Sequence, residues 1–424
     1  MSFQTQVNEC LAHVSMCGEL HEIPGVALGT AEAEIKRPNR KDLVLISIPD
    51  GTQVEAAFTQ NRFCAAPVQI AKANLAQTQP RWLVINTGYA NAGLGEAGLA
   101  VARESCDAVA ELTHCAPNHV LPFSTGVIGE PLPIDRLKAS LPSCVSNLSG
   151  SAAAWQAAAE GIMTTDTRPK LCSVSVPLPH REGGGKQKVF ATGMAKGAGM
   201  ICPNMATMLG FIAVNQPIAP ALAKRWLHEL LAHSFNAITV DGDTSTNDAV
   251  VLICAPAETG IELIVDEQDA RAAATYAALK TVFEQLAQAI VRDGEGATKF
   301  VTLTVKGART EADCQAIART IAHSPLVKTA LFASDPNWGR LLAAIGRAPV
   351  SDLDIHSISL WLNGERFVAQ GGRVSNYDEA RLSVEMAKED LHFVIAAGAS
   401  EYEATIWTTD LSHDYVKINA EYRS

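Results

Sequence analysis

The chain has 424 residues, with 34 lysines and arginines against 45 acidic residues and a formal net charge of −11. That balance argues against nucleic acid and against an anionic membrane surface as partners, while a local lysine can still hold a small anion. Hydrophobic residues make up 47% and charged residues 19%, so a large core can be buried, and the length calls for two or three lobes or one large α/β unit. The ten cysteines are scattered without a C-x-x-C pair, and the eleven histidines show no H-E-x-x-H spacing. This is the pattern of reduced thiols in a cytoplasmic protein, with neither a disulfide framework nor a metal centre expected. The opening "MSFQTQVNECLAHVSMCGELHEIPG" has no basic or apolar leader, so no signal or transit peptide is expected. No apolar run approaches the ~20 residues of a bilayer span.

In chain order, "DLVLISI", "PDGT" and "QVEAAFTQN" (42–61) read as strand, turn, strand, that is, a hairpin. "RWLVINTG" (81–88) reads as a buried strand and "EAGLAVARESCDAVAEL" (96–112) as a helix. "REGGGKQ" (181–187) is a surface loop and the best internal linker candidate. "KVFATGMAKGAGM" (188–200) is a strand running into a glycine-rich loop, and "TMLGFIAV" (207–214) is a further strand. In "APALAKRWLHELLAHSF" (219–235), Leu222, Trp226, Leu227, Leu230 and Leu231 share a helical face. The longest helix lies within 268–292, where Tyr276, Leu279, Val282, Phe283, Leu286 and Ile290 recur at steps of three and four before "RDGEG" stops it.

"FVTLTV" (300–305) alternates as a strand, and "TEADCQAIARTIAH" (310–323) opens with a capping-box signal and reads as a helix. "ISLWLNGERFVAQ" (358–370) is a hairpin about Asn363-Gly364. "YEATIWTTDL" (402–411) and the terminal "DYVKINAEYRS" (414–424) read as strands, the last tied into a sheet. Strands and helices are mixed, so an α/β (α+β) fold of layered, mixed or antiparallel sheets is expected over a purely parallel doubly wound one. "GLGEAG" (93–98) matches the dinucleotide fingerprint, but the acid expected about 20 residues later is missing, since that region reads "PNHVLPFSTG". A tight turn with close packing accounts better for these glycines.

The seam Ala206-Thr207 stands between the glycine-rich loop and an apolar strand. An internal threonine hydroxyl is a weak nucleophile, but a threonine at a chain terminus can use its own α-amine, of pKa near 8, as the base. Such a terminus requires a cut before the threonine, and a small residue at 206 leaves room for the tetrahedral intermediate. Read locally, Thr207 is equally the first residue of a buried strand.

A wider pattern bears on this choice. "MAKGAGMICPNMATMLGFIAVN" (194–215) resembles the cleavage-site signature of the ornithine acetyltransferases, the glutamate N-acetyltransferases of arginine biosynthesis. "FTQNRFCAAPV" (58–68), "NTGYANAGLGEAG" (86–98), "LPFSTGVIGEPLP" (121–133), "MTTDTRPK" (163–170), "VDGDTSTND" (240–248), "RDGEGATKF" (292–300), "DPNWGR" (335–340) and "KINAEYRS" (417–424) resemble the same family in the same order. "GAGMI" where "GSGMI" is common, Cys202 before the proline, and an N-terminal extension are modest departures.

The resemblance implies a layered αββα arrangement like that of N-terminal nucleophile hydrolases. It implies self-cleavage between Ala206 and Thr207 into an α chain (1–206) and a β chain (207–424), which stay together as an α2β2 assembly. Thr207 would carry acetyl from N2-acetylornithine to glutamate, with Thr125 and Gly126 as oxyanion donors. Thr165 or Thr167, Lys196, Glu295, Asn419 and Ser424, with Thr207 itself, would bind substrate, while Asp241, Asn247 and Asn204 would support the site. No metal or organic cofactor is implied. Family members divide on whether acetyl-CoA also serves as donor, and nothing in the residue pattern separates the two kinds. The alternative reading is a self-processing amidohydrolase or aminopeptidase with water as acceptor.

Overall fold

The computed structural model describes residues 2–16, 18, 20–178, 187–202, 208–255 and 261–422. The chain divides into two compact units, one of Met1–Gly197, Pro203–Asn236 and Thr244–Ile290, the other of Ala198–Cys202, Ala237–Asp243 and Val291–Ser424. Neither unit follows the 206/207 boundary, because the first unit takes residues from both sides of it.

In the first unit the strands are β1 (Ser15–Met16), β2 (Ala27–Ala31), β3 (Leu43–Ser47), β4 (Gln53–Phe58), β5 (Trp82–Tyr89), β6 (Val120–Val127), β7 (Lys170–Pro177), β8 (Lys188–Lys196), β9 (Leu209–Val214) and β10 (Ala249–Cys254). They form a four-stranded sheet, β2-β3-β5-β6, and a six-stranded sheet, β1-β7-β8-β9-β10-β4. Both sheets are mixed, with β5–β6 and β9–β10 parallel and the other pairs antiparallel.

The helices of this unit are α1 (Phe3–Leu11), α2 (Ala66–Leu75), α3 (Gly95–Thr113), α4 (Ile134–Ser146), α5 (Ala152–Gly161), α6 (Pro220–Ala232) and α7 (Ala272–Arg292). The run Leu43-Val44-Leu45-Ile46 shows why the sheets are sandwiched. Its odd positions pack with Ile70, Val109 and Leu137 of α2, α3 and α4, while its even positions face Phe211 and Val251 of the other sheet. A strand buried on both faces must be apolar throughout. Phe123 meets Phe211 edge-on across the sandwich, with ring centroids 5.3 Å apart. On the outer face of the six-stranded sheet, Gly193 lets Val282 and Leu286 of α7 approach until an added Cβ would lie 3.0–3.1 Å from them, and α6 covers β4 and β10. The layers are therefore αββα, as the resemblance implies. The N-terminal extension adds α1 outside them, with Phe3 stacked on Trp226 and edge-on to Tyr276.

Two expectations for this unit are corrected. β3 and β4 are not a hairpin, because β3 pairs with β2 and β5 while β4 pairs with β10 in the other sheet. The turn at Gly51 (φ 76°) hands the chain from one sheet to the other. The linker candidate at 181–187 joins β7 to β8, antiparallel neighbours in one sheet, and so does not separate the units; residues 181–186 lie outside the described set. The "GLGEAG" glycines do lie in a parallel crossover, β5–α3–β6. Their packing is nevertheless tight, since a Cβ at Gly98 would stand 3.0 Å from Asn91 Oδ1.

The second unit holds β11 (Phe300–Lys306), β12 (Ser359–Leu362), β13 (Glu365–Ala369), β14 (Gly372–Arg373), β15 (Asp390–Ala396) and β16 (Glu403–Thr409), in the order β14-β13-β12-β15-β11-β16. Its helices are α8 (Glu311–Ala322), α9 (Pro325–Phe332), α10 (Trp338–Gly346), α11 (Glu379–Met386) and α12 (His413–Ala420). Val301, Leu303, Ile317, Ile321, Leu360 and Phe393 belong to its core. The hairpin at Asn363-Gly364 is present, with φ of 48° and 87°. The C-terminal strand is not: residues 413–420 form α12, capped by Ser412, whose hydroxyl accepts from the Tyr415 N–H at 3.3 Å. Tyr415 and Ile418 are its half-buried residues, a helical step of three. Among the described residues no helix is long and apolar enough to cross a membrane, and no three His, Cys, Asp or Glu side chains could hold a metal ion.

Candidate active site

In the first unit the predicted oxyanion donors lie at the end of β6, the outermost strand of its sheet. The carbonyl of Val127 accepts from the Ala90 N–H at 2.9 Å, so Val127 turns its backbone groups toward the β5 side. Strand alternation then gives Thr125 the same direction and turns Ser124 and Gly126 toward the open edge. Ser124 obeys this rule, because its carbonyl accepts from Asn247 Nδ2 at 3.0 Å. The Gly126 N–H is thus aimed away from the ladder, as an oxyanion donor must be. Gly126 itself has φ 132°, and a Cβ there would lie 2.2 Å from the Gly88 carbonyl carbon. Thr125 is buried beside it.

Lys196 ends β8 and is the register partner of Leu209, the first residue of β9; Ala249 of β10 pairs with Leu209 on the other side. Met194, two residues back, belongs to the inter-sheet core, so alternation turns half-buried Lys196 toward the four-stranded sheet. Thr207 and Ala206 precede Leu209 by two and three positions and lie outside the described residues, as do Asn204 and Ser424. Beyond them Met208 is buried, and its carbonyl accepts from the Ala249 N–H at 2.9 Å. Asp248, between Asn247 and Ala249, is buried with Oδ2 unpartnered. Burial pushes its carboxyl well up, against the opposing charge of Lys196.

The "TTDT" loop places Thr165 half-buried and Thr167 exposed, on either side of buried Asp166. Sequence reasoning passed over Asp166, although Asp166 and Lys170 stand four apart. Asp166 Oδ1 accepts from Lys170 Nζ at 2.5 Å and from the Gly197 N–H at 2.7 Å, while Oδ2 accepts from the Thr164 N–H at 2.9 Å. One carboxylate thereby ties the threonine loop to the residue after Lys196. Burial raises its pKa, but the Lys170 and Lys196 charges and the Gly197 N–H outweigh burial and hold it below 3.8. A depressed carboxyl contributes stability above its unfolded pKa and loses it as pH falls through the folded value. Asp166→Asn should therefore cost about 3–5 kcal/mol in urea unfolding at neutral pH, because it breaks the buried Asp166–Lys170 ion pair. The gap to the parent should close below about pH 4; a neutral-pH cost under about 1 kcal/mol would refute this account.

In the second unit, Glu295 is buried beside the chain that follows Lys196. Its N–H donates to the Ala198 carbonyl at 2.9 Å. Its carboxylate lies so close over Gly199 that a Cβ there would sit 2.2–2.5 Å from the carboxyl atoms. Asn419 on α12 donates to Glu295 Oε2 at 2.8 Å. One helical turn earlier, the Tyr415 hydroxyl donates to Asp241 Oδ2 at 3.3 Å. Asp241 also accepts from the Met200 and Ile201 N–H groups, at 2.6 and 2.9 Å. Those bonds hold Met200 in the left-handed region, at φ 54°. Burial raises the Asp241 carboxyl despite these donors. Sequence reading had named Asp241 only as support, and its place as the anchor of the 199–201 loop rests on contacts 40 residues apart.

The ArgJ family model matches residues 27–424. An arginine biosynthesis bifunctional protein ArgJ from Methylococcus capsulatus is 48% identical over 414 residues, covering 98% of each chain. Its counterpart from Pseudomonas syringae pv. tomato is 48% identical over 408 residues, covering 96% of this chain and 98% of the relative. Among solved structures, an arginine biosynthesis bifunctional protein ArgJ from Bacillus halodurans is 33% identical, with a TM-score of 0.48 over 50% of this chain and 99% of that one. An ornithine acetyltransferase from Mycobacterium tuberculosis, complexed with ornithine, is 32% identical, with a TM-score of 0.40 over 46% of this chain and 100% of that one. The chain therefore belongs to the ArgJ family, and its activity is acetyl transfer in arginine biosynthesis.

Proposed function

We propose that the chain cuts itself between Ala206 and Thr207 and that Thr207, now a terminus, passes acetyl from N2-acetylornithine to glutamate. The Thr207 α-amine takes the hydroxyl proton as Oγ attacks the acetyl carbonyl. The Thr125 hydroxyl and the Gly126 N–H hold the oxyanion. The C–N bond breaks, ornithine leaves with the proton, and Thr207 keeps the acetyl as an ester. The glutamate amine then attacks that ester, and N-acetylglutamate leaves as Oγ regains its proton.

Lys196 is assigned the α-carboxylate that both substrates carry, and a threonine of 165 or 167 and Ser424 are assigned their polar groups. Glu295, a buried carboxylate that accepts from the Asn419 amide, is assigned a substrate ammonium. The reaction needs no metal or organic cofactor. Acetyl-CoA enters as a second donor, a reading favoured by the bifunctional relatives. The cleaved chains stay together as α2β2 in the cytoplasm.

The observation that carries this reading is the open Gly126 N–H on an edge strand, tied through Asn247 to the same end of the six-stranded sheet where Lys196 pairs with Leu209, two residues beyond Thr207. The test is to supply acetylornithine and acetyl-CoA separately to cleaved enzyme and to follow N-acetylglutamate and acetate. N-acetylglutamate from each donor, with parallel double-reciprocal plots, is expected. Acetate released at a rate indifferent to glutamate would make water the acceptor and overturn the transferase assignment.

A further inference from the structure

Asn247 is buried, and its whole amide is committed. Nδ2 donates to the Ala90 carbonyl at 2.6 Å and to the Ser124 carbonyl at 3.0 Å, while Oδ1 accepts from the Thr246 hydroxyl at 2.5 Å. The two carbonyls can only accept, so they fix which way the amide faces, and Oδ1 is left to accept from the Thr246 hydroxyl. Ala90 follows β5, and Ser124 lies in β6 one residue before Thr125 and two before Gly126. Asn247 precedes Ala249 by the same two positions by which Thr207 precedes Leu209, and Ala249 and Leu209 are register partners. One side chain therefore joins the oxyanion strand to the strand pair that carries the nucleophile.

We infer that Asn247 is a positioning residue for the oxyanion hole. Its amide hydrogens are engaged by backbone carbonyls and its oxygen by a hydroxyl, so it acts through the backbone it holds. By holding the Ser124 carbonyl it sets the plane of the peptide entering Thr125, and with it the aim of the Gly126 N–H. A misplacement of about 1 Å is enough to cost a large factor in rate. Both chemical steps assigned to Thr207 pass through a tetrahedral oxyanion, so self-cleavage and acetyl transfer depend on Asn247 together. The inference rests on the Thr207 reading above.

Asn247→Asp is nearly isosteric and turns a second acceptor toward two carbonyl oxygens. Thr246→Val leaves Asn247 in place and removes the hydroxyl that donates to its Oδ1. Precursor conversion is followed on denaturing gels. kcat and KM for acetylornithine and glutamate are then measured on protein incubated until it is fully cleaved.

For Asn247→Asp, kcat should fall about 10²-fold with KM within about threefold of the parent, and conversion should slow in parallel, as for loss of an oxyanion donor. For Thr246→Val, both rates should fall by a smaller, matching factor of about five. Parent-like kcat in either cleaved variant overturns the inference, as does a KM rise at constant kcat. If Asn247→Asp does not fold, Thr246→Val decides alone: matched losses support the inference and unchanged rates overturn it. Thr207→Ala separates the two readings. Its inactivity together with a parent-like Asn247→Asp would sink only the positioning role, whereas an active Thr207→Ala would sink both.

Discussion

Thr207→Ala should leave the chain as a single species of 45.0 kDa, with no acetyl transfer above background. Alanine has no Oγ, so the acyl shift that opens the 206–207 bond cannot begin, and no atom remains to carry acetyl. Removing a covalent nucleophile typically costs more than 10³-fold, and here the same change also withholds the α-amine base by leaving it in a peptide bond. Thr207→Ser keeps the hydroxyl and should still cleave, more slowly, and accept acetyl. Denaturing gels and intact mass read the cleavage, and an acetylated peptide beginning at residue 207 reads the acetyl loading. An uncleaved but fully active Thr207→Ala would end the assignment.

Gly126→Ala should act on stability and on rate at once. A Cβ at Gly126 would stand 2.2 Å from the Gly88 carbonyl carbon, 2.3 Å from its oxygen and 2.7 Å from Tyr89 N, all backbone atoms that cannot swing aside. The φ of 132° adds strain for any L side chain. Together these should cost about 2–4 kcal/mol in unfolding. Relief of the clash must move the Thr125-Gly126 peptide, and a displaced donor should lower kcat by 10²–10³-fold. Gly129→Ala is the control, since Gly129 lies just past the end of β6 and has a positive φ of 83° but nothing within 4 Å of a Cβ. It should lose only about 1 kcal/mol and keep its kcat. Equal kcat losses in the two variants would remove Gly126 from the oxyanion hole.

The sequence made some of this visible and hid the rest for identifiable reasons. The face of α7 from Tyr276 to Ile290 and the strand at Leu43–Ile46 were legible, because period and apolarity are local properties. The "PDGT" turn was legible as a reversal, but a turn says nothing about which strand its neighbours will pair with, so a passage between sheets looked like a hairpin. The end of the chain misled because Val416, Ile418, Ala420 and Tyr422 alternate as in a strand, whereas the residues half-buried on α12 are Tyr415 and Ile418, one helical step apart. The proposed roles of Thr125, Gly126, Lys196 and Glu295 came from the matched segments. What no segment could give was the reason Gly126 N–H is open, since that depends on β6 having no further strand neighbour among the described residues. Asp166 escaped notice for the same kind of reason: its spacing to Lys170 is in the sequence, but its burial and its bond to Gly197 are tertiary.

The strand order of the six-stranded sheet has a consequence for the life of the processed protein. A cut before Thr207 assigns β1, β4, β7 and β8 to one polypeptide and β9 and β10 to the other, interleaved so that β9 and β10 lie between β8 and β4. Neither piece can be withdrawn without breaking two ladders and exposing the sandwich core. The uncut chain folds as a single molecule, at a rate indifferent to its concentration. Once cut, the same architecture can be regained only by an encounter of two fragments, each lacking strands the other holds. Such a cut would turn a folding reaction of one molecule into an assembly made once, its topology inherited from the continuous chain.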